Sequence, residues 1–284
     1  MSTGVIFGAQ SSIQRELSTA LDKRIVLFAG LSGVGKSLYI QQFAKMAAQQ
    51  GRIVHLLQWD VTREAFQTEE ILQKYPEIEG VTHSMIRKAV GLWARKGIAQ
   101  WHQKYSDEKH ILIGELPLIG NRLIEIVQRI DDAVEPFLAS DQVQFFIPVP
   151  SQSVRQYIVN CRAQSIANPS HEREALDAPP SVVDSMWQQS KTLALSLGIK
   201  AEGDSPDYDP HLYLGAYQHL LQHRHTNALL IDEVLPTQDS VYELEAIASE
   251  INADAAQVQQ IFAQLEARYS LEEVETMTDN WYQV

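Results

Sequence analysis

An α/β fold, with a five-stranded and mainly parallel sheet between layers of helix, is the fold class this sequence predicts. Two observations predict it. Five short apolar runs lack polar alternation, the pattern of strands buried on both faces. Helix-length stretches separate them, and strand–helix alternation favours layered α/β architecture with crossover connections.

The runs are 24–29 (RIVLFA), 53–58 (IVHLLQ), 111–114 (ILIG), 143–149 (VQFFIPV) and 228–232 (ALLID). Between them the spacing predicts helices over 37–50, 81–103 and 121–138. After the fourth run no strand signal appears through 151–225, which reads as helix broken by polar, proline-containing turns near 168–170, 178–180 and 203–210. That stretch is expected to be a helical lid inserted over the ligand edge of the sheet. Two amphipathic helices, 239–251 and 254–269, are expected to close the chain. The organisation expected is a single domain over 1–284. Its core is 20–150 plus 226–250, its lid 151–225, and its C-terminal helices fall within 239–284.

The chain has 284 residues, 36 acidic and 23 basic, for a formal charge of −13. Of the acidic residues, 16 lie in 201–284 beside only Arg224 and Arg268, a local net of −14, so the first 200 residues balance at 21 − 20 = +1. Nucleic-acid affinity rests on basic patches that neutralise phosphates, and this balance argues against it. No apolar run approaches the roughly 18 residues of a membrane span, and the start lacks the order of a secretory signal. A lone Cys161 excludes a disulfide framework and suits a reducing compartment. A cytoplasmic protein is therefore expected.

The most specific signal is Gly30-Leu-Ser-Gly33-Val34-Gly35-Lys36-Ser37, which matches G-x-x-x-x-G-K-[ST] between the first strand and the first long helix. Glycines there permit positive φ and close backbone approach, so the amides of Gly30, Gly33, Val34, Gly35, Lys36, Ser37 and Leu38 can ring a phosphate at the positive end of the helix. Lys36 would neutralise phosphate oxygens, and the Ser37 hydroxyl would coordinate Mg²⁺.

These residues resemble the P-loop NTPases, which implies a three-layer P-loop fold, ATP as ligand and Mg²⁺ as its partner ion. No N-K-x-D base-recognition segment and no LSGGQ segment accompanies the loop, which sets aside the GTPase and ABC branches. Leu229-Leu-Ile-Asp232-Glu233 resembles a Walker B box, in which Asp232 would hold Mg²⁺ through water and Glu233 would polarise an attacking water. It lies almost 200 residues beyond Lys36, and a structural aspartate ending the last core strand is the competing reading.

The segment Trp59-Asp60-Val-Thr-Arg63 after the second strand is similar to that of small-molecule and nucleotide kinases, including the zeta-toxin-like group. The resemblance implies that Asp60 accepts the acceptor's proton while Arg63 orients the substrate; capping of the next helix is the plain alternative for Asp60. Ile113-Gly114-Glu115-Leu-Pro117, followed by Arg122, resembles the strand-end acid, proline and arginine of nucleotide-monophosphate kinases, although the spacing differs. Glu115 would hold a Mg²⁺ water or take the substrate proton, or else pair with the following helix, and Arg122 would grip an anionic group. Arg155, Arg162 and Arg173 are the lid arginines expected to meet the transferring phosphate.

The expectation from the sequence is thus a kinase that transfers the γ-phosphoryl group of ATP to a small-molecule acceptor. The alternative is an ATPase that couples nucleotide state to a protein partner through Asp232 and Glu233. His219 and His223 stand four apart, a zinc-ligand spacing, but no third ligand is specified.

Overall fold

The computed structural model describes residues 5–7, 11–78, 80–201, 207–235, 240–244 and 247–284. These form six strands and eleven α-helices. The strands are β1 (Ile25–Ala29), β2 (Ile53–Leu57), β3 (His110–Leu116), β4 (Val143–Pro150), β5 (Thr226–Ile231) and β6 (Ile247–Glu250). They make one sheet in the order β5-β4-β1-β3-β2-β6, with every pairing parallel.

Strand residues alternate between two cores because successive side chains leave opposite faces. Ile25, Leu27 and Ala29 of β1 belong to one cluster and Val26 and Phe28 to the other. The first face is covered by α5 (Ser84–Lys104), α8 (Pro180–Ser196), α9 (Pro210–Leu220) and α10 (Ala255–Arg268). The second is covered by α1 (Ser12–Ser18) and α2 (Lys36–Gln49). This is the three-layer α/β arrangement expected, with a sheet one strand wider.

The five expected strands stand within a few residues of their positions; two expected helices do not. Where a helix was expected over 239–251, the described residues hold a turn at Val241–Tyr242 and then β6, which pairs with β2 through Val54↔Ile247 and Leu56↔Glu250. Residues 239, 245 and 246 of that expectation lie outside the described residues. The expected helix over 121–138 is only a 3₁₀ turn at Ile124–Ile126 and a short α6 (Glu135–Leu138). Asn121 and Leu123 have φ near 60°, which ends any right-handed helix there. The freed carbonyls are taken up by arginines from far along the chain. Arg95 donates to the carbonyls of Glu125 and Gln128, and Arg224 to those of Ile126 and Gln128.

The stretch 151–225, expected as a lid over the ligand edge, is helical: α7 (Gln152–Ala167), a 3₁₀ turn at Glu172–Leu176, α8 and α9. However, α8 and α9 are core helices packed on the first face of the sheet, because their apolar faces are buried there. The second closing helix is α10, and α11 (Leu271–Asp279) follows it; both pack on α5. No described helix is long and apolar enough to cross a membrane.

Candidate functional site

β1 lies between β3 and β4, and the chain leaves it toward β2 whereas it leaves β4 toward β5. Such a reversal opens a crevice at the carboxyl ends of the strands, where ligands of open α/β sheets bind. The Gly30–Ser37 loop occupies it. The Gly30 amide donates to the Leu116 carbonyl at 3.0 Å, which fastens the loop to the end of β3. Gly33 and Gly35 have φ of 81° and 87°, and Gly35 caps the first turn of α2 in the left-handed region. Val34 is buried beneath, its Cγ2 only 2.9 Å from where a Cβ on Gly30 would stand, so Gly30 has no room for a side chain. Leu38 and Ser37 line the cavity above.

Lys36 opens α2 and is 7% exposed, with Nζ donating to the Leu31 carbonyl at 2.9 Å. Burial pulls its pKa down, and the nearest opposing influence is the Glu115 carboxylate, followed by Asp60 and Asp177; Arg162 adds to the depression. Burial likewise pushes the Glu115 pKa up, against the attraction of Lys36. Glu115 is the register partner of Phe28, one strand from the loop. The fold has thereby gathered Lys36, Asp60, Glu115, Arg162 and Asp177 within electrostatic reach of one another at the end of β1 and β3.

A cavity of about 380 Å³ lies above Lys36 and Ser37. Its roof is α7, whose Val159 and Ile158 side chains come within 3.1 and 3.5 Å of a Cβ placed on Gly33 or Gly35. Its far wall is the segment after β5 with Val241 and Tyr242. Arg162 enters from α7 and pairs with Asp177 at 2.5 Å. Asp177 also accepts from the Tyr242 hydroxyl at 2.6 Å, and burial pushes its pKa up. Cys161 lines the cavity as well.

The remaining expected residues divide. Asp60 sits exposed in the first turn of α3 (Trp59–Ala65), 3.4 Å from Arg63, which also donates to Gln67 at 2.7 Å. Arg155 leans on the Tyr208 ring at 4.6 Å, and Arg173 donates to Gln58 and Glu250 at the ends of β2 and β6. Neither lines the cavity, so of the three lid arginines only Arg162 meets the Gly30–Ser37 loop there. Asp232 and Glu233 are exposed at the end of β5, separated from β1 by β4, and Glu233 lines the cavity rim.

Arg122 follows β3 in a loop where Leu118, Gly120, Asn121 and Leu123 all have positive φ. Non-glycine residues persist there only where their surroundings enforce it. Arg122 donates to the Ile119 carbonyl at 2.8 Å and Arg87 of α5 to the Gly120 carbonyl at 2.5 Å. Their Nη1 atoms lie 3.0 and 3.5 Å from one point, the place of an absent Cβ on Gly120. Ion pairs engage Arg63, Arg95, Arg162, Arg173 and Arg224, whereas among the described residues Arg87 and Arg122, like Arg24, Arg52 and Arg155, are in none. Burial, then the neighbouring Arg87 charge, pulls the Arg122 pKa down to about 10.

Sequence reasoning missed Arg87, Asp177 and Tyr242 as site residues. Asp177 stood in view before Pro179-Pro180, but only folding brings it to Arg162. Among the described residues no group of three or more His, Cys, Asp or Glu side chains is arranged to hold a metal. Of the paired histidines, His219 instead approaches the Tyr282 carbonyl at 3.1 Å. No family model, curated protein or solved structure matches the chain.

Proposed function

We propose that the cavity binds ATP, and that the protein transfers its γ-phosphoryl group to a small-molecule acceptor. The observation that carries the reading is Lys36, buried at the start of a helix beneath two left-handed glycines and facing Glu115 from the adjacent strand. A buried ammonium beside free helix-terminal amides is suited to polyphosphate. Phosphoryl transfer needs alignment and neutralisation of charge more than covalent help. Lys36, Ser37 and the loop amides would hold the phosphates, and Arg162 would face the terminal one.

The residues fit a magnesium ion. Ser37 lines the cavity on the first turn of α2, and magnesium commonly relies on one or two protein groups, water and substrate phosphates. Ser37 would hold that ion, which supplies neutralisation of phosphate charge when bound. Asp60 or Glu115 would take the proton from the acceptor hydroxyl as its oxygen bonds to phosphorus and ADP departs. Arg122 and Arg87, which are in no ion pair, mark where an anionic group on the acceptor would rest, and Arg63, paired with Asp60, would orient it.

Direct titration with ATP and Mg²⁺, followed by a metabolite screen read by ³¹P NMR, tests the reading. Lys36→Ala is expected to abolish ATP binding. Asp60→Asn should abolish transfer and Glu233→Gln should spare it. The reverse pair of results favours the second reading, an ATPase working through Asp232 and Glu233, which Glu233 at the cavity rim supports.

A further inference from the structure

Among the arginines of the lid, Arg162 alone lines the cavity, and its guanidinium is held in an unusual way. Nη2 bonds to Asp177, while Nε is buried with no hydrogen-bond partner. An arginine offers five N–H donors in a fixed fork, and leaving one buried and unpaired is unfavourable. Asp177 is itself restrained from several sides. It ends the 3₁₀ turn Glu172–Leu176, and Pro179 and Pro180 follow with restricted φ. Glu174 in that turn accepts from the Ser170 amide at 2.7 Å and from the Ser240 hydroxyl at 2.6 Å. Two residues beyond Ser240, Tyr242 donates to the same Asp177 oxygen that Arg162 uses.

We propose that Asp177 is a positioning residue, which aims the Arg162 guanidinium over Lys36 and Ser37 so that its unspent N–H groups meet the terminal phosphate of a bound nucleoside triphosphate. A carboxylate clasping one corner of the fork leaves the rest free, and it fixes an otherwise flexible side chain before the ligand arrives. This rests on the proposed nucleotide site and adds to it a residue that touches no ligand.

The test is the ratio of ATP to ADP affinity, measured by calorimetry with Mg²⁺, because only ATP carries the phosphate that Arg162 would meet. Arg162→Ala should reduce the ratio about tenfold, the size of one charge-assisted hydrogen bond. Asp177→Asn should reduce it similarly, Tyr242→Phe less, and the double variant Arg162→Ala/Asp177→Asn no further than Arg162→Ala alone. Millimolar guanidinium should restore ATP affinity to Arg162→Ala but not to the double variant, a response that mere loosening of the lid would not produce. An unchanged ratio in Asp177→Asn, or a full Asp177→Asn effect in the Arg162→Ala background, overturns the proposal. Should Asp177→Asn fail to fold, an unchanged ratio in Tyr242→Phe overturns it instead. Wild-type protein that binds neither nucleotide overturns the ATP reading itself, and this proposal with it.

Discussion

Lys36 loses much of its hydration at 7% exposure, and the Leu31 carbonyl and Glu115 supply what partnership it has in the free protein. The loop beneath it depends on backbone geometry that only glycine adopts without strain. Gly33 combines a φ of 81° with a Val159 methyl 3.1 Å from the place of its missing Cβ. Gly33→Ala should therefore destabilise the protein by about 1–2 kcal/mol, read from the midpoint of urea unfolding, and should also displace α7 and weaken the proposed ATP binding. At this scale the sequence was most informative where one residue type is indispensable, as in G-x-x-x-x-G-K-S. It was silent on Arg87 and Asp177, because an arginine in a helix and an aspartate before prolines are ordinary until a fold sets charges beside them.

β1 to β4 were legible from their own residues because burial on both faces writes a continuous apolar run, and β5 showed the same run although it lies at the sheet edge with Leu230 61% exposed. β6 was not, since Ile247-Ala-Ser-Glu is short, lies at the sheet edge and offers Ile247, Ile251 and Leu244 at spacings that suit a helix equally well. Its attachment depends on contacts from elsewhere. His55 of β2 bonds through Nδ1 to the Ser249 hydroxyl and through Nε2 to His110, each at 2.8 Å, and lies 4.5 Å from the Tyr105 ring. Burial, then the His110 and Lys104 charges, pulls its pKa from 6.5 down to about 4. The folded protein thus favours the neutral ring, while the unfolded chain protonates first as pH falls. The stabilisation is complete above about pH 6.5 and is lost progressively toward pH 4, a total of about 3 kcal/mol. His55→Gln should flatten that part of the acid limb, measured by urea unfolding at a series of pH values. An acid limb of unchanged steepness would refute this account.

Across the whole molecule, the layered architecture followed from the order of apolar runs, whereas the fate of the acidic C-terminal region did not. A charge of −14 over 201–284 reads equally as a solvated helix face or a docking tail. α10 and α11 are in fact packed on α5 through Val258, Ile261, Leu265 and Val274, with Trp281 beyond them only 6% exposed. Their acids are all exposed, and Glu266, the one acid of α10, pairs with Lys74 and accepts from Tyr75. Trp281→Ala should lower global stability by about 3 kcal/mol, seen as one cooperative transition shifted to lower denaturant; an unchanged midpoint would make the region an appendage.

The chain between β5 and β6 travels from one edge of the sheet to the other, and on its way Ser240 and Tyr242 clasp Glu174 and Asp177. A nascent chain that has emerged only as far as Ile231 carries five strands, the glycine loop and Arg162, yet lacks the hydroxyls that brace the lid's acids. Synthesis runs from the N-terminus, and domains form as their elements become available. The loop after β1 is therefore made early and the lid's brace late, just ahead of the strand that completes the far edge of the sheet.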